Sequence, residues 1–457
     1  MSRDRAQRWT TLLVTTLASF LTPFMGSAIN VALPSMAQEL SMDAVLLGWM
    51  ATSYLLAAAV FLVPFGRLAD IVGRKKVFAY GTAVFTVGAL LAALAQSSTL
   101  LIVARVLQGM GSAMIFGTGV AILTSVFPPD RRGQVLGVNV AAVYVGLSMG
   151  PFIGGYLTQN LGWRSIFSAL VPLGLLIIVL VLWQLKGEWA EARGEPFDLT
   201  GSIIYSLGLV ALMYGFGLLP ALSGFALILA GAIGLALFAA WELRIAHPVL
   251  NVQLFAANRT FALSNLAALI NYAATSAVTF LLSLYLQYIK ALSPQQAGLV
   301  LIAQPIMQVL FSPVAGWLSD RIEPRIIASS GMALTAIGLV LLVFLGPATP
   351  LWAIVACLLL LGVGFGLFSS PNMNAIMGSV ERRFYGVASG TLGTMRLVGQ
   401  MLSMGIATLL FALYIGRVEI TPEQYSLFLL SAKTAFGIFA VLCMGGIFAS
   451  LTRGNLR

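Results

Sequence analysis

Roughly fourteen apolar runs, each long enough to cross a bilayer, constrain this chain more than any other feature of its sequence. A spanning helix needs about 20 apolar residues, and inside lipid only helices or closed barrels satisfy every backbone polar group. The runs lie near residues 10–33, 45–65, 77–97, 99–126, 134–157, 165–185, 199–219, 221–241, 260–288, 295–318, 325–346, 350–374, 386–415 and 428–451. Only 9% of the residues are charged, against roughly 25% in soluble domains. The longest polar stretch is the short one around Lys186–Asp198. A soluble enzyme is excluded, and the expected fold class is an all-α polytopic membrane protein.

The basic residues test that count, because cytoplasmic loops collect Lys and Arg. With the N-terminus inside and the runs alternating, the inner segments hold 19 of the 25, among them Arg67, Arg74, Lys75, Lys76, Arg131, Arg132, Arg382, Arg383 and Arg453. The outer segments hold Arg164, Lys290, Arg417 and Lys433, while Arg105 and Arg396 fall within spans. Fourteen spans with both ends cytoplasmic, in the cell membrane, are therefore expected. The run after Arg3, Arg5 and Arg8 is too long for a signal peptide and reads as a retained first span. The net charge of +10 belongs to these loops rather than to a nucleic-acid site.

Other chemistry is thin. Cys357 and Cys443 lie inside apolar runs and read as small core residues. No Gly-x-x-x-x-Gly-Lys-Ser/Thr phosphate loop occurs, and His247 is the single histidine, so neither ATP hydrolysis by that route nor a zinc-type site is expected. No cofactor and no obligatory protein partner is implied.

The chain repeats itself. Gly66-Arg67-Leu68-Ala69-Asp70-Ile71 after span two matches Gly316-Trp317-Leu318-Ser319-Asp320-Arg321 after span ten. Asp130-Arg131-Arg132 similarly matches Glu381-Arg382-Arg383, at the same offset of about 250 residues. Two six-helix halves follow, 1–190 and 259–457, with spans seven and eight inserted between them as a hairpin over 191–258. Repeats of this kind build many secondary transporters, with a midplane site where the halves meet. The hairpin is expected to pack peripherally, outside both halves.

Gly66-Arg-Leu-Ala-Asp70-Ile-Val-Gly73-Arg74-Lys75-Lys76, Leu101-Ile-Val-Ala-Arg105-Val-Leu-Gln108-Gly109-Met-Gly111 and Gly146-Leu-Ser-Met-Gly150-Pro151-Phe-Ile-Gly154-Gly155 resemble the signature loop, the span-four arginine motif and the span-five motif of the major facilitator superfamily. The resemblance covers essentially the whole chain. The span count, Trp49–Tyr54 and Phe197-Asp198-Leu-Thr-Gly201 are similar to its fourteen-span drug/proton antiporter branch. That resemblance implies a secondary transporter, not an enzyme, which exports small hydrophobic or amphiphilic compounds through a lipid bilayer in exchange for protons.

Each motif also has a physical reading. Gly66 and Gly73 permit close backbone approach and tight turning. Asp70 pairs with Arg74, Arg131 or Arg132 across the cytoplasmic mouth, as a latch for alternating access, or these charges are only topology markers. Asp320 is the second, degenerate copy. Gly146, Gly150 and Gly154 form one smooth helix face for close packing, where Pro151 loosens the backbone. Arg105, with Gln108 nearly one turn on, and Arg396, roughly 16 Å into span thirteen at helical rise, must face a cavity or a partner. Structural bonds to carbonyls are the alternative for both. Asn30, Gln108 and Gln304 are candidate liners of the pathway, and Pro305 beside Gln304 marks a bent helix.

The chain departs from that branch at Met25, where an aspartate is usual. All fifteen acidic residues lie at termini, in loops or at span ends. A buried carboxylate is the natural proton carrier, so coupling must use a membrane-edge acid or be indirect. Two span arginines without acidic partners favour neutral or anionic amphiphiles over lipophilic cations. Three readings stand from sequence: an amphiphile exporter of multidrug type, a transporter of organic anions or lipid-like amphiphiles, and, more remotely, a non-transporting sensor or scaffold.

Overall fold

A computed structural model describes residues 3–319, 321–381 and 385–454, with the side chains of 3–6, 129–134, 385 and 386 left out. Fourteen of its helical segments are long and apolar enough to cross a membrane, and no strand occurs among the described residues. The first six spans are α1 (Arg3–Leu40), α2 (Ala44–Val72), α3 (Arg74–Ala93), α4 (Ser98–Val126), α5 (Pro129–Leu161) and α6 (Arg164–Gln184). The inserted pair is α7 (Leu199–Leu218) and α8 (Leu222–Glu242), followed by a short α9 (Gln253–Ala257). The last six spans are α10 (Arg259–Leu284), α11 (Pro294–Leu301) with α12 (Ala303–Ser319), α13 (Pro324–Val343), α14 (Leu351–Gly378), α15 (Tyr385–Tyr414) and α16 (Tyr425–Thr452). An even number of spans puts both termini on one face, called the near face below; the opposite one is the far face.

Short polar side chains start the helices by accepting otherwise orphaned backbone N–H groups. Asp43 accepts from Leu46 at 2.7 Å, Asn258 from Phe261 at 2.9 Å, and Ser293 with Gln296 forms a capping box at α11. The bend expected beside Gln304 is a break at Ile302 between α11 and α12. Pro305 has no N–H to return to the Leu301 carbonyl, so the helix cannot run through unbroken.

Small residues let the helices touch backbone to backbone. A Cβ at Gly146, Gly150 or Gly154 of α5 would stand 2.5 Å from the Phe20 carbonyl oxygen, 1.8 Å from Ser27 Oγ and 2.9 Å from Ala28 Cα, all on α1. Gly117 of α4 lies against Gly66 of α2 with 3.5 Å between its Cβ position and Gly66 Cα. Gly73 has φ +127°, a conformation that only glycine adopts without strain.

The hairpin does not simply lie outside both halves. Its helix α7 packs on α2 of the first six helices and on α15 of the last six. Tyr205 donates a 2.9 Å hydrogen bond to the Ala59 carbonyl of α2, and Gly217 lies against Trp49 of the same helix. On the other side a Cβ at Gly405 of α15 would stand 2.8 Å from Met213 Cε. Only α8 is peripheral: Gly231 and Gly224 seat it on α7, and Leu229, Ile233 and Leu237 point outward. The seam between α2 and α15 offers an apolar groove that one more hydrophobic helix can fill.

Candidate functional site

The two halves meet at Arg396 of α15, which is half-buried. Its guanidinium stands 5.2 Å from the ring centroid of Phe116 on α4, and the Tyr272 hydroxyl of α10 lies within its electrostatic reach. Tyr272 meets Phe365 of α14 edge-on at 5.4 Å. Tyr144 of α5 and Ser369 of α14 share a 3.1 Å hydrogen bond between the halves. Arg396 thus lies beside Phe116 and Tyr272, where aromatic and hydroxyl side chains of both halves come together. Among the described residues no carboxylate forms an ion pair with it. Such a site can hold an aromatic or amphiphilic molecule by ring stacking, and favours negative charge on it.

Arg105 sits elsewhere. It is 1% exposed, inside the first six helices, where Nη1 donates to Gln108 Oε1 at 3.0 Å and Nε to the Met50 carbonyl at 3.4 Å. Its guanidinium lies 4.4 Å over the Tyr54 ring, and Tyr54 donates to Ser112 at 2.8 Å. Asn30 presents its backbone carbonyl to Ser283 at 2.7 Å. Gln304 is half-buried, its carbonyl pressed on Gly362 and its side-chain oxygen unpartnered.

Arg453 was not singled out by sequence, where it counts only as a loop charge. It is 1% exposed and donates to Asn372 Oδ1 at 2.7 Å and Ser264 Oγ at 3.3 Å. A terminal arginine after a long apolar run carries no signal that separates a topology marker from a folded-in strut.

At the near face the signature loop is bound by the polar linker that follows α6. Arg74 pairs with Asp70 and with Glu191, both at 2.8 Å, and donates to Ser125 of α4 at 2.9 Å. The backbones interlock as well: Arg74 N–H donates to the Trp189 carbonyl and Ala192 N–H to the Asp70 carbonyl, each at 2.9 Å. Arg67 pairs with Glu195, which also meets His247 at 2.9 Å. Of the partners considered for Asp70, Arg74 pairs with it locally, four residues on; the Arg131 and Arg132 side chains and Asp320 lie outside the described residues. The Arg67 guanidinium, and secondarily His247, holds the Glu195 carboxyl below the usual carboxylate range. Its ion pair therefore persists above that range and is lost as pH falls through the lowered value. Glu195→Gln should raise amide exchange across 188–195 at neutral pH by up to about fivefold, as fits one exposed pair. Unchanged exchange would mean that the backbone bonds alone hold the linker.

Toward the far face the halves are sealed. Gly298 of α11 lies under the Pro151 carbonyl of α5, 2.1 Å from where a Cβ would stand, and Gly155 of α5 lies under the Pro294 carbonyl at 2.5 Å. Ala44 N–H donates to the Val418 carbonyl at 3.0 Å, and Gln287 to the Val31 carbonyl at 3.0 Å. At the near ends of α2, α5, α14 and α15 a Cβ at Gly66, Gly137, Gly378 or Gly390 would meet nothing within 4 Å. The span-five motif thus serves two surfaces, Gly146, Gly150 and Gly154 against α1, and Pro151 with Gly155 against α11.

Fourteen membrane-length helices, the first six and last six in contact beside Arg396 and packed backbone to backbone toward the far face, have the build of a membrane transporter of small molecules. The chain belongs to the Major Facilitator Superfamily, whose sequence profile matches residues 15–257 and 265–454. It is 28% identical to the riboflavin transporter RibZ of Clostridioides difficile (strain 630), over 96% of each chain. It is 33% identical to the cephamycin export protein CmcT of Amycolatopsis lactamdurans, over 88% of this chain and 84% of that one. The fold is also that of a bacterial homologue of the human lysosomal transporter Spinster, with TM-score 0.70 and 16% identity over 98% of this chain and 97% of the other.

Proposed function

We propose that this transporter exports neutral or anionic amphiphilic small molecules, of the multidrug type, by alternating access and in exchange for protons. Residues 1–190 and 259–457 rock against each other about Arg396, and the near face is the cytoplasmic one. The observation that carries the substrate class is the aromatic and hydroxyl surroundings of Arg396, drawn from both halves, with no ion-paired carboxylate there among the described residues. An unpaired cation in a site of low dielectric repels a cationic drug and attracts an anionic or electron-rich one. The near-face excess of Lys and Arg supports the orientation. A relative named for export, CmcT, supports the direction.

The test uses purified protein in liposomes with an acidic interior and a trapped pH dye. Anionic and neutral aromatic amphiphiles should each release protons from the vesicles, whereas lipophilic cations of similar size should not. Proton release by cations alone overturns the assignment of substrate charge. Movement of labelled anions without proton release overturns the coupling and leaves an uncoupled anion transporter.

A further inference from the structure

The foot of the inserted hairpin brings two acid side chains together on the near face. Asp198 caps α7: its Oδ1 accepts from Gly201 N–H at 2.9 Å, and Trp241 Nε1 donates to Oδ1 at 3.3 Å and Oδ2 at 3.1 Å. Glu242 ends α8, and its Oε2 accepts from Leu250 N–H at 2.8 Å. Both are buried, at 8% and 2% exposure. Gly201 lies between them: a Cβ there would stand 2.1 Å from Asp198 Oδ2 and 2.6 Å from Glu242 Oε1. The two carboxyl groups are within hydrogen-bond reach of each other, yet Glu242 Oε1 has no donor.

A carboxylate oxygen only accepts, so two ionised groups in this geometry leave a buried oxygen facing another acceptor. Two desolvated like charges in contact do not both stay ionised. The groups packed against the pair are Gly201 and Ser202 of α7, Trp241 of α8, and the Val249–Leu250 backbone. The neighbouring charges Arg67, Glu195 and His247 pair among themselves, and among the described residues no Lys or Arg forms an ion pair with Asp198 or Glu242.

We propose that Asp198 and Glu242 form a proton-binding site, holding one proton between Asp198 Oδ2 and Glu242 Oε1 while the hairpin foot is closed. Loss of that proton to water at the near face leaves two negative charges facing each other and forces α7 and α8 apart there. Since α7 lies on both α2 and α15, the state of the pair bears on the seam along which the halves move. This deepens the proton-coupled reading, on which only its link to transport rests, by placing a proton site outside the span interiors.

The experiment is infrared spectroscopy of the substrate-free protein in lipid at neutral pH. The wild type should show the carbonyl stretch of a protonated carboxylic acid, and Glu242→Gln and Asp198→Asn should each lack it. Gln at 242 supplies its own N–H to Asp198, so it mimics the protonated form and keeps the foot closed. Stability gives the second readout. A folded state that retains a proton loses stability as pH rises above the ordinary carboxylate range, by up to about tenfold in the unfolding constant per pH unit. The thermal midpoint of the wild type should fall over that range and that of Glu242→Gln should stay flatter. Absence of the band in the wild type, or its persistence in both variants, overturns the site. A chain that shows the band but moves no protons with any compound would sink the antiport reading and leave the site standing.

Discussion

Replacing Arg396 with alanine should lower transport of an anionic substrate by about 10- to 150-fold, the worth of one hydrogen bond to a charged group at ~1.5–3 kcal/mol. Neutral substrates should lose far less, because they give up only ring contacts. The fold should survive, since Arg396 is half-buried and carries no ion pair among the described residues. Arg396→Lys should restore part of the anion flux by keeping the charge while losing the planar geometry. The measurement is initial flux in liposomes for a matched anionic and neutral pair, with thermal stability followed in parallel. A uniform loss for both compounds, or a large fall in stability, would assign Arg396 to structure instead. Arg105 is the useful contrast. Its removal strips Gln108 and the Met50 carbonyl of partners inside a packed half, so Arg105→Ala should lower stability together with transport of every substrate.

Gly298→Val should trap the protein open at the far face. A Cβ at this position would stand 2.1 Å from the Pro151 carbonyl oxygen and 2.8 Å from its carbon. Neither is the end of a flexible side chain, so relief requires α11 to move away from α5. Overpacking of this kind costs typically about 1–3 kcal/mol, which shifts a two-state equilibrium by roughly 5- to 150-fold. The clash exists only where the halves meet, so it penalises the far-sealed state and spares the other. Spin labels at the exposed Leu161 of α5 and Phe344 beyond α13, in a background without Cys357 and Cys443, should report a longer far-face distance than in the wild type. Turnover should fall with the population of the sealed state. An unchanged distance with normal transport would show that the Gly298–Pro151 contact does not limit the cycle.

The spans were legible because lipid imposes a hard length and composition on each of them, and neither depends on tertiary context. The break in span ten was legible for a similarly local reason, at Pro305. Arg105 and Gln108, three residues apart, also announced their contact. Arg396 was marked only as an expensive charge in a span; Phe116 and Tyr272 beside it come from two other helices. The double use of the span-five motif was hidden, because residues four apart share a helix face and Pro151–Gly155 has the same spacing as Gly150–Gly154. The linker's grip on the signature loop joins Arg74 to Glu191 across 117 residues of sequence, and nothing local predicts it. Asp198 and Glu242 read as ordinary span-end acids until α7 and α8 are laid side by side.

The far-face seal is made largely from main-chain atoms: carbonyls of Pro151 and Pro294 resting on Gly298 and Gly155. The surroundings of Arg396 are made from side chains. On the proposed reading, leak-tightness and substrate choice reside in different parts of the polymer, and mutation reaches them separately. A descendant of this chain that exchanges Phe116 or Tyr272 would then acquire a new cargo while the barrier to ions stays as it was. On that reading drift in cargo is mechanically cheap for such a chain, and drift at the two sealing glycines is not.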